Sequence, residues 1–231
     1  LFVSNFVGKT AFASVNLVMP FVMILGGMGF MIGTGGTALV SKILGEGDPE
    51  NANRTFSMMV LFTLALGAVL SGIGIAFMGP VARFLGATDA MMADCVLYGR
   101  IVTGFTFAFM LQNVFQSFLI AAEKPKLGLI ATVAAGVTNM ALDALFIAGF
   151  HWGVAGAAIA TVLAQAVSVV LAVALLVRKK LPFAITRADF RLNPQCRKFL
   201  SIGLPLALQE FLTQLSFLAL CAFVNRLGLT A

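Results

Sequence analysis

Six apolar intervals, each about as long as a bilayer is thick, constrain this chain more than any motif in it. They cover residues 11–41, 55–82, 101–122, 127–150, 152–177 and 199–225. Roughly 20 apolar residues in a helix cross a hydrocarbon core of about 30 Å. Lipid offers no partner to a free N–H or C=O, so each interval must close its hydrogen bonds within itself as a helix. A barrel would need alternating strands of about 9–11 residues, and that period is absent. Composition leaves no soluble alternative. Of 231 residues, 60% are hydrophobic and 10% charged, against about 25% charged in soluble domains. The reading is an all-α polytopic membrane protein with about six transmembrane helices.

Charge placement orients those spans. Lys42 and Arg54 flank the connection after the first interval, and Lys124 and Lys126 precede the fourth. Arg178, Lys179, Lys180, Arg187, Arg191, Arg197 and Lys198 crowd the connection after the fifth. The opposite connections hold Lys9, Arg83, Arg100, His151 and Arg226. Basic loops stay in the cytoplasm. The net charge of +6 therefore describes topology and anionic headgroups, with no nucleic-acid partner implied. The loop GEGDPENANR reads as a short polar turn, and residues 83–94 are mixed enough in polarity to lie along the interface. Cys95, Cys196 and Cys221 have no paired spacing and His151 is the single histidine. A Cys/His metal centre lacks ligands, so the three thiols are read as structural.

The two ends of the chain resemble each other. Residues 2–11 read F-V-x-N-x-V-G-x-T-A and residues 223–231 read F-V-N-x-L-G-x-T-A. Parallel repeats of this kind arise in transporters when an even number of spans separates the copies. The expected organisation is an amino-terminal helical lobe over 1–177 with most of its first helix missing. A cytoplasmic inter-lobe linker over 178–198, containing Pro182 and Pro194, follows, and then the first helix of a second lobe over 199–231. Within the first interval, GGMGFMIGTGG lacks the GK[ST] ending of a phosphate loop. Its Gly29-x-x-x-Gly33 spacing fits close helix–helix packing instead. Pro20 marks a place where that helix can flex.

Asp143 is the lone carboxylate in LGLIATVAAGVTNMALDALFIAGF, with no other charge between Lys126 and His151. Such a group costs about 2.5–3.5 kcal/mol at a bilayer centre and so faces a cavity where ions or substrates are handled. Asn139, four residues earlier, shares its helix face. One negative charge there can be neutralised by a proton or by a dehydrated cation such as sodium held with amide and hydroxyl oxygens. Thr161 offers such a hydroxyl on the next span, among small residues that permit close approach. Gln112, Asn113, Gln116 and Gln165 supply further polar groups, for a cavity or as packing bonds. Met110 and Met140, with Phe105, Phe107 and Phe115, would form an adaptable apolar wall or face lipid. Glu210, after Pro205 and near Gln209, Thr213 and Gln214, is a second intramembrane carboxylate that lines the cavity or sits near the headgroups.

The runs GTGGTALVSKILGEGDPENANR, AAEKPKLGLIATVAAGVTNMALDALFIAGFHWGVAGAAIAT and IGLPLALQEF closely resemble the multidrug and toxic compound extrusion (MATE) exporters. The likeness is nearest the branch related to the DNA-damage-inducible protein F. It implies a twelve-helix transporter of two six-helix lobes, coupling drug efflux to inward flow of protons or sodium ions. By motif, the resemblance puts Asn139, Asp143 and Thr161 on the family's amino-lobe cation and proton site, and Gln116 where an asparagine commonly faces the cavity. Met140 and Glu210 complete the candidate substrate cavity. The family's first-helix aspartate would precede Leu1, and Ala144 replaces the proline usual after the Asp, which puts that helix's bend in question.

The function expected is therefore secondary active efflux of amphiphilic, often cationic compounds from a bacterial or archaeal cell membrane. The full-length protein is expected to be monomeric, with no cofactor beyond the coupling ion. A flippase for lipid-linked sugars is the alternative within transport, but it would need several cavity arginines or lysines for a pyrophosphate. Only Arg100 and Arg226 approach the spans. An enzyme would need a nucleophile–base pair or a metal cluster, which this residue supply does not offer.

Overall fold

The computed structural model describes residues 3–122 and 125–178, with isolated helical positions between 201 and 216. The described chain forms six α-helices: α1 (Lys9–Gly45), α2 (Pro49–Phe84), α3 (Asp89–Gly104), α4 (Thr106–Ala121), α5 (Pro125–Asp143) and α6 (Gly153–Arg178). Short π-helical segments cover Val3–Val7 and Ala144–Gly149. At 1.5 Å per residue, the 37 residues of α1 and 36 of α2 run well past a core of about 30 Å. Pro20 and Pro80 lie inside these helices, so the expected flexing point at Pro20 is continuous helix.

Turn chemistry joins α1 to α2 as the sequence predicts. Gly47 takes φ +81°, and Asp48 caps α2 by accepting from the Asn51 N–H at 3.1 Å, with Pro49 in the first turn. At the other end Gly86 takes φ +96°, and the Ala87 N–H reaches back to Ala82 O at 3.0 Å. That closes α2, and α3 begins at Asp89. The interfacial stretch expected over 83–94 is thus a tight turn between two spans. The expected span over 101–122 is correspondingly the inner part of a longer one. α3 and α4 together cross as a broken span bent by 51°.

No proline lies at that break. Thr103 Oγ1 donates to Gly99 O at 2.6 Å and Thr106 Oγ1 donates to Thr103 O at 2.8 Å. Threonine hydroxyls that bond preceding carbonyls loosen a helix, and Gly104 beside them adds the weakest ordinary helix former. With the bent pair counted once, the described residues hold five membrane-length spans. The sixth expected span, 199–225, and the linker beyond Arg178 lie outside the described residues apart from the isolated positions.

Two apolar layers flank the break. The inner layer joins Ile43 of α1, Ala52 and Phe56 of α2, Phe118 and Leu119 of α4, and Leu176 of α6. The Phe56 and Phe118 rings meet edge to face at 4.6 Å. Because this layer gathers those four helix ends, Lys42, Arg54 and Arg178 fall at one end of the bundle, as positive-inside placement requires. The outer layer joins Val18 and Val22 to Met78, Cys95, Tyr98, Val102, Ile147 and Ala158. Cys95 is a free buried thiol that donates to Ser14 O at 3.6 Å; Cys196 and Cys221 lie outside the described residues.

Glycines set how close these helices come. A Cβ on Gly29 would run into the Met110 backbone, one on Gly26 into the Phe109 ring, and one on Gly33 would stand 2.6 Å from Ser117 Oγ. α2 meets the bend in the same way, since a Cβ on Gly67 would lie 2.6 Å from Phe107 Cα. In lipid, where apolar burial gives little driving force, such close packing carries helix association. Gly29→Val is therefore expected to destabilise the protein by about 1–3 kcal/mol, the scale of overpacking. Gly136→Ala is a control, because a Cβ there meets nothing within 4 Å, and it should leave stability unchanged or raised. Thermal unfolding in detergent compares them, and equal midpoints would contradict the glycine seam.

Candidate functional site

Asp143 is the last residue of α5, and the backbone departs from α geometry directly after it. The π segment Ala144–Gly149 carries long-range bonds such as Phe150 N–H to Leu145 O at 2.9 Å. This departure occurs with Ala144 in place of the family's usual proline, so it does not depend on a missing N–H. Asp143 lies six residues before Gly149 in the span Lys126–Gly149. It therefore occupies the outer third of its span and not the middle that the bare sequence suggested. The residue is half-buried, and its Oδ1 is shielded from solvent with no hydrogen-bond partner in the described structure. An unpaired buried carboxylate oxygen is costly.

α6 approaches α5 at this level because its residues are small. Gly156, Ala157 and Ala158 are buried, and a Cβ on Gly156 would lie 3.0 Å from Phe146 Cβ. One turn further along α6, Thr161 is half-buried and donates to Ala157 O at 2.9 Å. Tyr98 arrives from α3, 2% exposed. Its hydroxyl is hydrogen-bonded to the Thr161 side chain and stands within electrostatic reach of Asp143. Tyr98 of α3 thus links Thr161 of α6 to the neighbourhood of Asp143 at the end of α5.

Other predicted residues are placed differently. Asn139 is half-buried one turn before Asp143 on α5, and no hydrogen bond joins the two. Gln116 of α4 lies beside the start of α5, its Cγ 4.0 Å from where a Gly128 Cβ would be. Gly128 precedes Asp143 by fifteen residues, about 22 Å along a helix, so the structure does not bring Gln116 to the carboxylate. Met140 lies on an exposed face of α5 with Val133 and Val137. Met110 and Phe115, expected in an adaptable wall or facing lipid, are instead buried in the inner core, while Phe105 stays exposed. Asn113 donates to Gly26 O at 3.3 Å, which makes it a bond between α4 and α1. Gln112 and Gln165 each keep a buried Oε1 without a partner. Glu210 lies outside the described residues.

Sequence reasoning missed Tyr98. The available signal was that it is the chain's single tyrosine and stands inside a span, whereas membrane tyrosines usually gather at the interface. Among the described residues no cluster of three His, Cys, Asp or Glu residues could hold a metal ion. Any cation at Asp143 would therefore be held by one carboxylate with neutral oxygens, a donor set suited to a monovalent hard ion.

Comparison with known proteins gives a consistent picture. A family model described as MatE matches residues 1–145. The chain is 26% identical over 238 residues to the probable multidrug resistance protein YoeA of Bacillus subtilis, covering 99% of this chain and 51% of that protein. It is 25% identical over 221 residues to the multidrug export protein MepA of Staphylococcus haemolyticus, covering 94% and 48%. A crystal structure described as MATE in the bent conformation superposes with a TM-score of 0.87 at 26% identity, over 99% of this chain and 50% of that one. The chain thus spans about half the length of the curated relatives it matches.

The Tyr98–Thr161 bond is open to a double-mutant cycle. Tyr98→Phe keeps the ring and is expected to cost about 0.5–1.5 kcal/mol of stability. Adding Thr161→Val should then cost less than it does alone, because the shared bond is already gone. Strictly additive losses in thermal unfolding would mean that the two hydroxyls are not bonded.

Proposed function

Because this chain belongs to the MatE family and spans the membrane several times, we propose that it forms the amino-terminal lobe of a multidrug efflux antiporter. The whole transporter would hold two six-helix lobes joined through 178–198, with 199–231 opening the second. It would be a monomer of the branch related to the DNA-damage-inducible protein F. Small amphiphilic and often cationic compounds would leave the cell as protons or sodium ions enter. The names of the relatives support this reading: one is a probable multidrug resistance protein and the other a multidrug export protein.

One observation carries the coupling role: the shielded, unpartnered Oδ1 of Asp143 beside the bonded Tyr98–Thr161 pair. A proton or sodium ion arriving there would gain a carboxylate, with the Thr161 hydroxyl and the Asn139 amide oxygen as further oxygen donors. Neutralisation removes the cost of a bare charge between helices. Coupling then requires that ion and drug prefer different conformations, because a ligand shifts an equilibrium only by its differential affinity. Small contacts between α5 and α6 are suited to change with that charge, since they rest on Gly156 and alanines. The unpaired amide oxygens of Gln112 and Gln165 would line the drug path, with Met140 as an adaptable wall.

Asp143→Asn in the intact transporter should reduce drug efflux to background while leaving membrane insertion and expression intact. Proteoliposomes separate the two ions: drug-dependent uptake of sodium-22 would identify sodium, and efflux driven by a pH step without sodium would identify protons. Undiminished efflux by the Asn variant would refute the coupling role.

A further inference from the structure

Ser71 of α2 is 6% exposed, and its hydroxyl has no hydrogen-bond partner among the described residues. Other hydroxyls inside these helices take the carbonyl one turn back. Ser14 bonds Thr10 O, Thr63 bonds Met59 O, Ser117 bonds Asn113 O and Thr132 bonds Gly128 O, all within 3.0 Å. Ser71 does not make that bond, so its Oγ is turned away from its own helix. The described helices bury it by themselves, and an unpaired hydroxyl in such surroundings is costly.

What Ser71 faces follows from its neighbours on the same side of α2. A Cβ on Gly67, one turn before it, would stand 2.6 Å from Phe107 Cα, and one on Gly74, three residues after it, 2.8 Å from Thr103 Cβ. Ser71 therefore stands opposite the break at Phe105. There the carbonyls that a continuous helix would offer to the Thr106 and Phe107 N–H groups are already engaged. Val102 O accepts from the Phe105 N–H at 3.2 Å, and Thr103 O accepts from Thr106 Oγ1 at 2.8 Å. Phe105, the N-cap of α4, supplies no side-chain bond to the new helix. α4 runs inward, so its first N–H groups point outward along its axis. α2 runs outward, so Ser71 lies in that same direction from Gly67. On the α6 side the bend faces an apolar groove of about 350 Å³, lined by Ile101, Phe105, Ala108, Val162 and Ala166, that exposes no polar surface. A polar partner for the break must come from α2.

Distance decides the form of that contact. Phe107 N lies 3.2 Å from where a Gly67 Cβ would be, and the four residues from Gly67 to Ser71 rise about 6 Å. A direct hydrogen bond needs about 3 Å, whereas one bridging water, bonded at about 2.8 Å on each side, spans the gap. We propose that the α3–α4 break holds a single buried water, which accepts from the Phe107 N–H at the start of α4 and is bonded to Ser71 Oγ. The amide end of α4 by itself would draw an anion, but Ser71 brings no charge to offset one in apolar surroundings. Water is neutral and both accepts and donates. It replaces the ladder bonds that the break gives up, which lets a membrane helix keep its bend without a proline. α3 is thereby held in the direction that carries Tyr98 to Thr161.

A crystal structure of the intact protein, fine enough to resolve ordered water, tests the assignment. One density peak is expected about 2.6–3.2 Å from both Ser71 Oγ and Phe107 N, and Ser71→Ala should lose it. Thermal unfolding in detergent gives an independent reading. Ser71→Ala should lower the midpoint, because the start of α4 loses its bridge to α2. Thr55→Val removes the other buried, unpaired hydroxyl of α2 from a regular stretch of helix, so it should leave the midpoint unchanged or raised. No peak at Ser71, or a midpoint undiminished in Ser71→Ala, would overturn the site. So would bromide replacing the peak with anomalous scattering, because the occupant would then be an anion.

Discussion

The contact on which the rest of this structure depends is the approach of α1 to α4 at backbone distance. Inside a bilayer, apolar side chains gain little by leaving lipid for protein, so helices hold together where their surfaces fit. Gly26, Gly29 and Gly33 remove side chains along one edge of α1, and Phe109, Met110 and Ser117 of α4 fill the space. Asn113 adds a hydrogen bond to Gly26 O across the same seam. α2 supports the arrangement from the side, with Gly67 receiving the backbone at Phe107 just past the bend. Once these surfaces are in register, the break at Phe105 falls between the two apolar layers, and α3 is free to take a different direction from α4.

That change of direction delivers Tyr98 to the site. α3 carries its ring into the outer layer, between α1 and α6, where the hydroxyl meets Thr161. Asp143 reaches the same level from α5 at the point where the helix widens into its π segment. Such segments are uncommon and often coincide with functional positions. The carboxylate oxygen left without a partner is a local cost, and low polarity around it raises that cost. A protein that only needed stable packing would place an apolar residue there. Retaining the acid would make sense in the proposed coupling role, where its charge is neutralised and restored in turn.

The opposite face of α3 shows the same economy of placement. Over two residues the helix sends a tyrosine into the outer layer and an arginine to its exposed face. The bend that positions Tyr98 also opens the apolar groove beneath Arg100. The position of Tyr98 and the apolar groove are in this way products of a single break, which itself rests on two threonine hydroxyls and one glycine.

Much of the architecture was legible in the residues. Apolar length located the spans, GEGDPENANR announced the α1–α2 turn, and Gly29-x-x-x-Gly33 announced a packing seam. Asp143 and Thr161 stood out as polar groups in apolar surroundings. Tyr98 did not, because nothing local separates a membrane tyrosine bonded to a neighbouring helix from one at the interface. The break at Phe105 was hidden as well, since no proline marks it and threonine–glycine runs also occur in straight helices. Met110 and Phe115 read as wall or lipid contacts, yet lie in the core. Helicity, membrane residence, cytoplasmic basic ends and one acidic residue in an apolar run were determined by the sequence itself, because lipid makes each segment satisfy its own backbone. Which side of each helix meets protein and which meets lipid was decided only by the tertiary structure. Both surroundings are apolar, so hydropathy is blind to the difference, and only the fit of one helix surface against another resolves it.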